Sequence, residues 1–145
     1  MDVTDFFSLL DREEIKQAIA EAELNTSGEI RVHLETYCRG NVLKRATKLF
    51  GQLEMHKTEQ RNGVLFYLAV KSRKLAIVGD EGIHQHVQQL FWDELKNSML
   101  KLFAQDRFKE GLISGILATG EKLKEHFPHQ EDDVNELSDE ISFGK

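Results

Sequence analysis

Apolar and polar residues alternate strictly over 29–35, "EIRVHLE". Ile30, Val32 and Leu34 take one side, and Glu29, Arg31, His33 and Glu35 the other. A period of two predicts a strand with one wet face, at or near a sheet edge. The run "VLFYLAV" at 64–70 is apolar throughout, which predicts a central strand covered on both faces. "KSRK" is a short polar turn, and "LAIVG" at 75–79 is the next strand. Two strands joined so closely must be antiparallel.

Between and around these strands the period changes to that of a helix. "LDREEIKQAIAEAE" places Ile15, Ala18, Ile19 and Ala22 on one stripe, with Asp11 as the expected N-cap and Glu14 three residues on, a capping-box spacing. Phe6, Phe7 and Leu10 are expected to form a short helical turn on the same core. Residues 41–55 carry Leu43, Ala46, Leu49, Phe50 and Leu53 on one face. Val87, Leu90, Phe91, Leu95, Met99, Leu102 and Phe103 fit one helix, or a short one followed by a longer one. Asp106 is positioned to cap a last helix, which Pro128 stops. Gly111, Gly115 and Gly120 form a small-residue face that lets this helix pack closely, and Trp92 with Phe91 is expected in the core.

The resulting order is α-β-α-β-β-α-α, an α/β fold with a central mixed sheet of few strands flanked by helices. A helix joins the first two strands, so they are expected to be parallel with a right-handed crossover. The start of the first strand, the start of the second and the end of the third then share one end of the sheet. Those ends read "TSGE", "QRNG" and "VGDEG", each with a glycine and polar groups. The segment carrying Asp106 is a further candidate for that rim.

Composition narrows the function classes. The chain has 145 residues, 40% hydrophobic and 30% charged, as expected of one soluble domain over 1–128 followed by an acidic tail over 129–145. A formal net charge of −6 argues against nucleic acid as partner and is compatible with divalent cations. No apolar run is long enough to span a bilayer, so no membrane partner is expected. The N-terminus has neither a basic n-region nor an apolar h-region, and the lone Cys38 has no internal disulfide partner. The expected compartment is the cytoplasm.

The chemistry concentrates at "GDEG", 79–82. Adjacent carboxylates on an extended backbone point apart, but in a tight glycine turn Asp80 and Glu81 can converge, and backbone carbonyls can add ligands. Hard cations such as Ca²⁺ and Mg²⁺ take such oxygen sets. The alternative is a solvated acidic turn. Asn62 is either a turn residue or an amide-oxygen ligand. Asp106 serves as cap or ligand, and Glu29 is either solvated or reaches the rim. His84 and His86 lie two apart, so they face away from each other on a helix and make no zinc pair. His33, His56, His126 and His129 are read as isolated surface residues. No P-loop, no Asp-x-Asp nucleophile pair and no nucleophile elbow occurs.

The same corners carry a resemblance. "SGEIRVHLE", "RATKLF", "RNGVLFYLAV", "RKLAIVGDEGI" and "FAQDRFKEGL" occur in an order and spacing that resemble the TPM domain family, also called the TPM phosphatase family, over roughly residues 5 to 127. The resemblance implies a mixed sheet sandwiched by helices and divalent-metal binding. In some members it implies acid phosphatase activity, which here would need a metal-activated water with Asp80 or Glu81 as ligand or base. Many members carry a signal peptide and a membrane anchor, and neither is expected here. The expected function is weak Ca²⁺ or Mg²⁺ binding by a binding or regulatory module. A metal-dependent phosphomonoesterase at the same rim is the alternative. In the tail, Val134, Leu137 and Ile141 recur at three- and four-residue steps, with Phe143 beyond. The acidic composition favours a disordered tail; the alternative is that these residues form an apolar stripe on a transient helix, which makes the tail a candidate docking segment toward a protein partner or this domain itself.

Overall fold

A computed structural model describes residues 3–129 and 138–144. After a 3₁₀ turn at Val3–Asp5 come α1 (Leu9–Glu23), β1 (Glu29–Glu35), α2 (Val42–Gln52), β2 (Gly63–Ala69) and β3 (Lys74–Gly79). The short α3 (Glu81–His84) follows, then α4 (Gln89–Ala104), α5 (Phe108–His126) and a terminal β4 (Ser142–Phe143). The sheet order is β3-β2-β1-β4. β1 is parallel to β2 and to β4, and β2 is antiparallel to β3.

The pleat sorts side chains onto two cores. Ile30, Val32 and Leu34 share a face with Val64, Phe66 and Leu68, against Ile15 and Ile19 of α1, Met99 of α4, and Leu112 and Ile116 of α5. On the opposite face Leu65, Tyr67, Ala69 and Ala76 pack on Ala46, Leu49 and Phe50 of α2. Every residue of β2 is therefore buried, as its unbroken apolar run predicts. Gly120 lets α5 approach α1, since a Cβ there would lie 2.6 Å from that of Ala22. Trp92 is in the core.

Four expectations change. β1 lies next to the sheet edge, as expected, but it is not wet: Glu29, His33 and Glu35 are buried, because α2 and Tyr67 cover that face and β4 covers part of the flank. His33 is thus not a surface residue. Asp11 is not the cap of α1. Ser8 holds that position in extended backbone, its Oγ accepting from the Asp11 amide at 3.0 Å. Asp11 instead lies in the first turn, where a carboxylate suits the helix dipole. Asp106 does not cap α5 either: Arg107 occupies the cap position and makes no side-chain cap bond. Finally, Leu10, Leu43 and Leu90 are exposed rather than core.

The tail adds a strand that the periodicity does not announce. Ser142 and Phe143 pair with His33 and Leu34, while Ile141 and Phe143 pack on the main core. Val134 and Leu137 lie outside the described residues. No helix among the described residues is long and apolar enough to cross a membrane.

Candidate functional site

Three chain corners meet at one end of the sheet because β1 and β2 start there and β3 ends there. Backbone bonds close them. The Glu29 amide donates to Asn62 O at 3.3 Å, the Asp80 amide to Gly63 O at 3.0 Å, and the Gly82 amide to Arg61 O at 3.0 Å. Gly82 is required there, since any Cβ would collide with the carbonyl oxygens of Gln60 and Arg61.

Asp80 is the buried centre of this rim. It caps α3, its Oδ1 accepting from the Glu81 amide at 2.8 Å. Both of its oxygens also accept from Arg61, from Nε at 2.8 Å and from Nη2 at 2.9 Å. The Arg61 Nη1 lies 2.6 Å from Oε1 of the exposed Glu81. The two adjacent carboxylates therefore converge on one cationic centre, the Arg61 guanidinium. Arg61 reaches it from left-handed backbone, φ 52°.

Around that pair, Asn62 is buried, and its Nδ2 donates to Ser27 Oγ at 3.2 Å. Gln60 Nε2 donates to the same hydroxyl at 3.1 Å. Glu29 is buried at the start of β1. Glu29, Asn62, Asp80 and Glu81 thus share one end of the sheet. Asp106 does not join them. It stands beyond the β2–β3 turn at the opposite end, exposed and paired with Arg73 Nη2 at 3.0 Å. Its left-handed backbone, φ 60°, belongs to the α4–α5 turn. Among the described residues no three His, Cys, Asp or Glu side chains cluster as a metal centre. At the rim Asp80 and Glu81 both meet the half-exposed Arg61 guanidinium.

A second polar cluster, absent from the sequence reading, surrounds Glu35 at the other end of β1. Its buried carboxylate accepts from Arg45 Nε at 3.0 Å and Nη2 at 2.5 Å, and from Tyr67 Oη at 2.6 Å. His33 Nε2 is 3.3 Å away, and His33 Nδ1 is 2.7 Å from Ser142 Oγ. Burial pushes the Glu35 carboxyl up, but the bonds from Arg45, Tyr67 and His33 outweigh it and hold its pKa below the usual range. Burial lowers the His33 pKa despite Glu35 beside it. Burial first, then Glu35, raises that of Tyr67. Two signals in the sequence point here. One is a polar residue at every second position of β1. The other is the stretch from Thr36 to Leu53, which has cations and no acid.

The TPM domain profile of the TPM phosphatase family matches residues 1–122. The solution structure of the BA42 protein from the psychrophilic bacterium Bizionia argentinensis is similar at a TM-score of 0.90, with 43% identity over 96% of each chain. The N-terminal domain of the cg2496 protein from Corynebacterium glutamicum superposes at a TM-score of 0.67, with 16% identity, covering 84% of this chain and 77% of that one. An N-terminal domain from P. gingivalis does so at 0.70, with 19% identity, covering 86% and 82%. These last two share the fold. No curated protein matches the chain.

Proposed function

The chain belongs to the TPM domain family, and on that premise we propose that it is a divalent-cation-binding module whose site is the rim of Asp80 and Glu81. The observation that carries the reading is the convergence of both carboxylates on the Arg61 guanidinium. Such a pair is already arranged for one positive charge. Ca²⁺ or Mg²⁺ would take the place of Arg61 on Asp80 and Glu81, with Asn62 and Glu29 beside them as further oxygen donors. The ion would supply a compact double charge where the guanidinium supplies a diffuse single one.

Exchange with an internal cation makes the binding weak, because the ion must displace an existing ion pair as well as shed water. It also gives binding a consequence. Ion binding releases Arg61 while Glu81 passes from the guanidinium to the ion, so the ion state resets the surface of the β3–α3 corner for a protein partner. Binding is preferred to phosphomonoester hydrolysis, because both carboxylates of the corner are already committed to holding a cation.

Backbone NMR with Ca²⁺ added to millimolar concentration tests this. Localised shifts are expected at 60–63 and 79–82, and Asp80→Ala should weaken binding at least tenfold, about 1.4 kcal/mol. Absence of localised shifts in the wild-type protein would refute it.

A further inference from the structure

At the opposite end of the sheet from the rim, a cavity of about 610 Å³ opens beside the Glu35 cluster. Ligand pockets run from about 300 to 1,000 Å³, so it has room for a small organic molecule. Its position is the one that an open α/β sheet offers to ligands. β1, β2 and β4 all point their carboxyl ends here. From β1 the chain crosses to β2 on one side, and β4 lies on the other. The crevice outside the carboxyl ends at such a reversal is where ligands bind in folds of this kind.

The walls specify the chemistry. The loop after β1 contributes Tyr37, Cys38 and Arg39, α2 contributes Arg45 and Leu49, and β4 contributes Phe143. Glu35 is the only carboxylate among the described lining residues, and its charge is already met by Arg45. Arg39 is exposed at the mouth, with no ion-pair partner among the described residues. Lys74 stands behind the loop, its Nζ donating to the carbonyls of Cys38 at 3.0 Å and Gly40 at 3.1 Å. Those bonds hold the loop but leave its charge unneutralised. Lys44 and Lys48 flank the lining face of α2, in a stretch with no acid from Thr36 to Leu53. A net-acidic protein thus gathers uncompensated positive charge around one cavity. The half-exposed Tyr37 ring, Leu49 and Phe143 add apolar surface beside it.

We infer that this cavity is a binding site for a small organic oxyanion, a phosphate or carboxylate head on an apolar or aromatic body. Arg39 and the outer edge of Arg45 hold the head, and Tyr37, Leu49 and Phe143 pack on the body. Arg45 is preorganised, since its Nε and Nη2 are fixed on Glu35. Because Phe143 and Gly144 form one wall, the site is complete only with the tail docked as β4.

Titration of the full chain with phenyl phosphate, benzoate and inorganic phosphate, followed by backbone NMR in EDTA, tests the site independently of the metal rim. Phenyl phosphate or benzoate is expected to shift amides at 37–45 and 142–144 together. Arg39→Gln should weaken binding at least tenfold, and it touches no described partner, so the fold is preserved. Tighter phenyl phosphate assigns a phosphate head, and tighter benzoate a carboxylate head. Three outcomes would overturn the inference: no localised shift with either organic probe at millimolar concentration, shifts confined to 79–82, or unchanged affinity in Arg39→Gln. Inorganic phosphate binding as tightly as phenyl phosphate would overturn the assignment of an organic ligand.

Discussion

Glu35 is a buried carboxylate with donors from three different elements aimed at it, and its ionised form depends on all of them. Removing one deprives a buried acceptor of its bond. Tyr67→Phe deletes the 2.6 Å hydroxyl bond and nothing else of the ring, so it should cost about 1–3 kcal/mol in chemical denaturation. The same cluster sets an acid sensitivity. The folded His33 pKa is depressed, so the unfolded chain takes up a proton first, and stability falls as pH drops below about 6.5. Glu35 is also depressed and adds to the loss below about 4.5. Thermal melts of the wild type and His33→Gln from pH 7 to pH 4 should show the histidine's share as a decline of the wild type relative to the variant. At the apolar extreme, Leu65 and Phe66 of β2 are fully buried, on opposite faces. Leu65→Ala or Phe66→Ala should each cost about 2–5 kcal/mol in urea unfolding. A cost below about 1 kcal/mol at both would be incompatible with a strand covered on two sides.

Among the elements, β4 is held by titratable groups as well as by pairing. Lys16 Nζ meets Glu140 Oε1 at 2.5 Å, and the Arg12 guanidinium lies 5.9 Å from the centre of the Phe143 ring. Burial, then the hydrogen bond with Asp139, pushes the Glu23 carboxyl up to about 10, so that it stays protonated at neutral pH. An acid raised in the folded state contributes stability that is present at low pH and is lost as pH rises through the folded pKa. Raising the pH from 7 to 10 should therefore loosen the tail, read as movement of the Ile141 and Phe143 side-chain NMR signals toward random-coil positions. Asp139→Asn removes the like charge beside Glu23 and should keep the tail docked to higher pH.

What the sequence reveals at this scale follows from where each element's partners lie. β2 and β3 are legible because their apolar pattern and short turn are local. β1 is misread as wet because its polar side chains are satisfied by Arg45, Tyr67 and Ser142, which are remote in sequence. β4 is too short to carry a period, and only its pairing with β1 defines it.

The molecule as a whole is polarised along its sheet, with carboxylates at the end where β1 begins and uncompensated cations where it ends. The rim was legible because topology fixes it: a crossover and a hairpin bring Glu29, Asn62 and Asp80 to the same end wherever their side chains point. Arg61 was not, since nothing in "QRNG" says that its guanidinium turns onto Asp80 and Glu81. Asp106 stands apart from the rim because the turn between α4 and α5 lies over the far end of the sheet, where Arg73 meets it. A binding module, rather than an enzyme, should turn over p-nitrophenyl phosphate far below ordinary enzyme rates of about 1–10³ s⁻¹. Ordinary rates that vanish in Asp80→Ala would favour hydrolysis at the rim instead.

On the proposed reading, a divalent ion and Arg61 compete for the same two carboxylates. Calorimetric titration of Ca²⁺ into the wild-type protein and into Arg61→Gln tests it most directly. Removing the internal cation leaves Asp80 without its ion pair, so Arg61→Gln should bind Ca²⁺ at least tenfold more tightly and gain more thermal stability from Ca²⁺ than the wild type does. Equal or weaker binding by a folded Arg61→Gln would show that the ion and Arg61 do not compete for these carboxylates.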